Sequence, residues 1–277
     1  MRSVRIALKE FYNVRGGELD AAVSDYPQNG TPNPDWKRPA LLIVPGGTYN
    51  SITNRECDPV AGAFLGRGFQ TFVLRYLCAP DGVRYPEQLI EEAAAVDYIR
   101  KHAKEYSVNP EEVFVIGFSA GGHLAADLAV EYPSMKEISG SDLDCRPTAV
   151  GLSYPVISAK YGHADSHENL LNGYSGEERE TLWGKLNLDE RVDAKTPPTF
   201  LWHTAEDTCV PPLNSLMYAA ALSKRNILFE MHVYPYGWHG CSTCDYEIND
   251  HAEFLRRNAR WIDDCASFFR IFTKEKF

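Results

Sequence analysis

The chain has 277 residues, 44% hydrophobic and 24% charged, which suits a soluble globular protein with a sizeable core. Its formal charge of −10 argues against nucleic acid or an anionic membrane as partner, since neither phosphate nor headgroup is attracted to an acidic surface. The N-terminal residues lack an apolar h-region and no run approaches 18 apolar residues, so neither a secretion signal nor a membrane span is expected.

Taken in order, Val4 to Phe11 and Leu19 to Val23 are short alternating runs that predict one or two antiparallel edge strands. Pro27 to Pro34 is dense in turn formers and predicts an exposed loop. Pro39 to Val44 is an unbroken apolar run, as in a strand covered on both faces, and it enters the glycine-bearing loop Pro45-Gly46-Gly47-Thr48-Tyr49. A helix over about Pro59 to Arg67, a strand over Phe69 to Tyr76 and a helix from Pro86 to His102 follow.

Val113 to Ile116 is a further buried strand, and Leu124, Leu128 and the alanines between them predict a helix against it. After the strand Ala149 to Tyr154, residues 155–196 carry polar sequence with short helical stretches. That is longer than an ordinary connection, and a lid or cap is its expected role. Strands at Thr199 to His203 and Leu228 to Tyr234 flank a helix over Asn214 to Lys224. An amphipathic helix over Asp250 to Phe269 closes the chain. Alternating strands and helices predict one α/β domain over residues 1–277, with a mostly parallel sheet and helices on both faces.

Between the central strand and its helix lies Gly117-Phe118-Ser119-Ala120-Gly121. Gly-x-Ser-x-Gly alone arises by accident in roughly one chain in ten of this length. In a strand-turn-helix context it reads as a nucleophile elbow, whose glycines allow a turn too tight for side chains. A serine hydroxyl needs a base, and the base needs a carboxylate to orient it. Asp207 and His239 follow later strands in the order that a parallel sheet would bring beside Ser119. Glu206 competes with Asp207, and seven other histidines compete with His239, the one in a turn after the last strand between glycines. The amide of Ala120, with those of Gly47 and Thr48, is expected to receive an oxyanion. Activity is then expected to rise with pH as the imidazole loses its proton.

The segments Pro45-Gly46-Gly47-Thr48-Tyr49, Arg55-Glu56, Gly117 to Leu124, Ser153-Tyr154-Pro155-Val156, Glu206-Asp207 with Val210-Pro211, and Gly237-Trp238-His239-Gly240 together resemble the α/β-hydrolase esterases of the acetylxylan esterase-like or lipase/esterase-like family. The resemblance runs from about Pro39 to His239. It implies a serine carboxylesterase with an α/β-hydrolase fold, Ser119, Asp207 and His239 as its triad, and small acyl groups on sugars as substrates. Thr48 stands where the family often has a third glycine, and Pro45 where the hormone-sensitive-lipase type has histidine.

Tyr49, Tyr76, Trp183 and Trp238 are candidate sugar-stacking aromatics. Rival readings are a peptidase or amidase on the same scaffold, a binding protein that kept the fold, and a metal or redox role for Cys241 and Cys244. No cofactor and no metal are expected. The seven cysteines, odd in number and scattered, fit reduced thiols in the cytoplasm. A homodimer is left open.

Overall fold

The computed structural model describes residues 1–25, 35–250 and 255–274. The expected loop from Pro27 to Pro34 lies outside these residues. Eight strands form one sheet: β1 (Arg2–Ala7), β2 (Glu18–Val23), β3 (Arg38–Val44), β4 (Gln70–Arg75), β5 (Val108–Phe118), β6 (Val150–Ser153), β7 (Thr199–Thr204) and β8 (Phe229–Tyr234). Their order is β1-β2-β4-β3-β5-β6-β7-β8. The β1–β2 and β2–β4 pairs are antiparallel, and every pair from β4 to β8 is parallel.

The continuous apolar runs of β3 and β5 have their cause in two covered faces. Successive side chains of a strand point to opposite sides. Leu42 and Val44, with Val113 and Val115, enter one core, and Leu41 and Ile43, with Phe114 and Ile116, enter the other. The first core is covered by α2 (Glu87–Lys101) and α3 (Ala120–Glu131), and the second by α1 (Asp58–Leu65) and a C-terminal helix. In the second core Trp261 stacks on Trp202 with ring centroids 5.1 Å apart, and Phe269 stacks on Phe114 at 4.7 Å. Burying each such ring contributes roughly 2–3 kcal/mol.

After α4 (Met135–Ser139) and β6, the segment 155–196 holds α5 (Asp165–Leu170) and α6 (Gly176–Lys185). It is anchored to the body of the protein. Leu170, Leu171, Leu186, Leu188 and Val192 join the first core. Asn214, on α7 (Leu213–Lys224), accepts the amides of Ile157 and Ser158 at 2.9 and 3.2 Å.

The expected closing helix is not continuous. The chain forms α8 (Tyr246–Asn249), α9 (Leu255–Asn258) and α10 (Trp261–Arg270), and residues 251–254 lie outside the described part. Asp250 has φ 39°, a left-handed conformation that ends α8 and cannot open a helix. Asn258 ends α9 with its side chain turned inward, donating to the Tyr236 carbonyl at 2.8 Å. Among the described residues no helix is long and apolar enough to cross a membrane.

Candidate active site

Ser119 sits where β5 turns into α3, at the carboxyl edge of the parallel strands. Its backbone is strained, with φ 53° and ψ −118°. Three backbone hydrogen bonds hold it there: its amide donates to Ser153, and its carbonyl accepts from His123 and Val156. The flanking glycines are required by contact. A Cβ on Gly117 would lie 2.2 Å from the Gly121 carbonyl oxygen, and one on Gly121 would lie 2.2 Å from that of Val44.

Ser119 Oγ lies 2.8 Å from His239 Nε2, and His239 Nδ1 lies 2.6 Å from Asp207 Oδ2. A carboxylate only accepts, so Nδ1 carries the imidazole proton and Nε2 is left to accept from the serine hydroxyl. Asp207 is fully enclosed. Its Oδ1 accepts the amides of Cys209 and Val210 at 3.0 and 2.9 Å, and His203 Nε2 stands 3.3 Å from Oδ2. Burial would raise its pKa, but the hydrogen bonds from His203 and His239 outweigh burial and hold the carboxyl well below the usual range. The rival acid Glu206 is turned away and accepts the amide of Gly237 at 3.2 Å.

A cavity of about 190 Å³ opens over Ser119 and His239, with Gly47, Thr48, Glu56 and His163 among its walls. Gly47, Thr48 and Tyr49 all have positive φ, of 128°, 56° and 58°. Among the described residues no protein acceptor takes the amide of Gly47 or Thr48. Ala120 is the first residue of α3, so its amide has no intrahelical acceptor.

The aromatic candidates are placed otherwise than expected. Tyr49 has no exposed surface, because the left-handed turn directs its ring inward, and its hydroxyl donates to His123 Nδ1 at 2.9 Å. Tyr76 is likewise buried, with its hydroxyl on the Pro45 carbonyl at 2.8 Å. Trp183 packs beside His167 and under the Arg179 guanidinium, and neither it nor the exposed Trp238 lines the cavity.

Tyr49 instead belongs to a buried chain. His123 Nε2 and His167 Nε2 both donate to the Leu186 carbonyl, at 3.0 and 3.1 Å. Burial, reinforced at His123 by the second imidazole, pushes His123 down to about 3 and His167 to about 4. Both rings are therefore neutral at physiological pH, and Nδ1 of His123 is free to accept from Tyr49. Asn169 also reaches the turn, donating to the Thr48 carbonyl at 2.9 Å.

Glu56 and His163 are among the cavity residues that had no assigned role in the sequence. Glu56 is buried, with one oxygen accepting the Gly46 amide at 2.7 Å and the other the Tyr154 hydroxyl at 2.8 Å. Burial raises its pKa, and those two donors oppose the rise. The Tyr154 ring then lies edge-on to His239 at 5.1 Å. His163, from the 155–196 segment, stands 6.3 Å from the His239 ring, and its pKa is lowered by burial and by that neighbour. Arg55-Glu56 was visible only as part of a resemblance, and His163 only as one histidine among eight.

The model of the BD-FAE family matches residues 30–222. Endo-1,4-beta-xylanase B of Butyrivibrio fibrisolvens is 37% identical over 221 residues, covering 78% of this chain and 34% of that protein. Acetylxylan esterase of Xylanibacter ruminicola is 30% identical over 228 residues, covering 80% of this chain and 45% of that protein. The chain thus spans between a third and a half of these curated relatives. The crystal structure of an acetyl ester-xyloside bifunctional hydrolase from Caldicellulosiruptor lactoaceticus superimposes with a TM-score of 0.80 at 29% identity, covering 98% of this chain and 96% of that one. The fold is that of the α/β-hydrolases, as the motifs implied.

Proposed function

The chain belongs to the BD-FAE family, and from that premise we propose that it is a serine carboxylesterase that removes small acyl groups, acetyl groups on sugars among them. One observation carries the reading: the Ser119–His239–Asp207 line at 2.8 and 2.6 Å beside unengaged backbone amides.

In the proposed cycle Ser119 Oγ attacks the ester carbonyl while His239 Nε2 takes its proton. Asp207 holds the tautomer and stabilises the imidazolium that results. The amides of Ala120, Gly47 and Thr48 receive the oxyanion. His239 returns the proton to the departing alcohol, and water then cleaves the acyl-enzyme by the same route. A cavity of about 190 Å³ favours a short acyl chain. The 155–196 segment acts as a cap that lends His163 to the cavity wall. A cytoplasmic location suits seven unpaired thiols.

The test is hydrolysis of p-nitrophenyl acetate against longer p-nitrophenyl esters and a p-nitroanilide, with Ser119→Ala as control and a fluorophosphonate to titrate the serine. Turnover of acetate, stoichiometric labelling and loss of both in the variant are expected. A folded protein that neither labels nor turns over any ester would overturn the reading.

A further inference from the structure

Among the residues that line the cavity with Ser119 and His239, Arg55 is the one lysine or arginine. Its side chain is exposed, and among the described residues its one hydrogen bond is a long contact of 3.4 Å from Nη1 to the Gly240 carbonyl. Among the described residues no carboxylate lies within ion-pair distance of it. Two acids beside the cavity, Glu56 and Asp207, are engaged elsewhere. Glu56 directs one oxygen to the Gly46 amide and the other to the Tyr154 hydroxyl. Asp207 faces His239, His203 and two amides. Among the described residues most of the Arg55 donors therefore have no protein acceptor, and the guanidinium touches Gly240, the residue that follows His239.

A guanidinium without an ion pair among the described residues stands out in a chain of net charge −10. A guanidinium presents paired N–H donors in a planar fork that matches a carboxylate. Resting on the esterase reading above, we propose that Arg55 receives a carboxylate of the substrate, so that the preferred esters are anionic. The carboxylate belongs either to the alcohol, as in an acylated uronic acid, or to the acyl group, as in a half-ester of a dicarboxylic acid. Held by Arg55, either would bring its ester carbonyl toward Ser119 in a restricted orientation.

The experiment compares kcat/KM for two pairs of esters: an acetylated glucuronic acid against the matching acetylated glucose, and mono-p-nitrophenyl succinate against p-nitrophenyl acetate. The readout is the ratio of each anionic ester to its neutral partner, so any general loss of activity cancels. In Arg55→Gln the ratio for the true source of the carboxylate is expected to fall about fivefold, the upper end for an exposed charge pair. Arg55→Lys should retain part of it, and raising the salt should lower it in the parent but not in Arg55→Gln. Isothermal titration with glucuronate and with succinate needs no turnover and reads the same contact: binding should weaken in Arg55→Gln. If both ratios and both affinities are the same in parent and variant, the proposal is wrong. If the affinities differ but no ester is turned over, the anion site stands and the esterase reading falls.

Discussion

Asp207→Asn replaces one carboxylate oxygen by an amino group and leaves size and shape alone, so its effect can be worked out from donors and acceptors. Oδ1 accepts two backbone amides, from Cys209 and Val210. Oδ2 faces His239 Nδ1–H at 2.6 Å and His203 Nε2–H at 3.3 Å. An asparagine that keeps its oxygen on the backbone amides turns its NH₂ toward two imidazole donors. Flipped, it turns NH₂ toward two backbone donors, leaving both unsatisfied at about 1–3 kcal/mol each. The first arrangement is therefore favoured. His203 cannot adapt, because its Nε2–H also serves the Val210 carbonyl at 2.9 Å while its Nδ1 accepts from Ser215 at 2.8 Å. His239 adapts by moving its proton from Nδ1 to Nε2, which leaves no base facing Ser119. The expected loss in kcat is about 10⁴-fold, as for an imidazole locked in the wrong tautomer. The assay is steady-state hydrolysis of p-nitrophenyl acetate, with far- and near-UV circular dichroism to show that the fold persists. A folded Asp207→Asn within tenfold of the parent would refute the reasoning.

Three further outcomes follow from the same geometry. Asp127, on α3, is fully buried with neither oxygen hydrogen-bonded among the described residues, and burial raises its pKa to about 8. The folded state keeps that proton after the unfolded chain has lost it, so stability falls as pH rises from about 4 to about 8. Four pKa units set a ceiling of about 5 kcal/mol. Urea melts at pH 5 and 8 should show Asp127→Asn gaining on the parent at the higher pH, and parallel changes would contradict this. Asn169→Ala frees the Thr48 carbonyl, so kcat should fall about tenfold with KM and melting temperature little changed. Asn169→Asp, which cannot donate, should match it. Gly121→Ala places a methyl 2.2 Å from the Val44 carbonyl oxygen and should lose about 3 kcal/mol of stability by urea denaturation, or fail to fold.

What could be read from the chain was what local sequence determines. The apolar runs of β3 and β5 announced strands covered on both faces, and the glycines beside Ser119 announced a turn without room for side chains. His239 was separable from seven other histidines because loop position and chain order are one-dimensional facts. Side-chain direction is not. Tyr49 follows a glycine-bearing loop and reads as a wall of the cavity, yet the positive φ at Thr48 and Tyr49 sends its ring into the core. Glu56 could not be placed because its two donors, Gly46 and Tyr154, lie 10 and 98 residues away. The break between Asn258 and Trp261 was hidden because an amphipathic pattern persists through a two-residue turn.

The stretch from 155 to 196 holds more than a boundary of the cavity. Its Leu186 carbonyl fixes the two imidazoles behind Tyr49, and its Asn169 steadies the peptide after Thr48. Transplanting this stretch between relatives, a common way to move selectivity, would also transplant the supports of the amide turn. Such chimeras should lose speed before they acquire a new preference, unless the residues at 48, 49 and 123 travel with it.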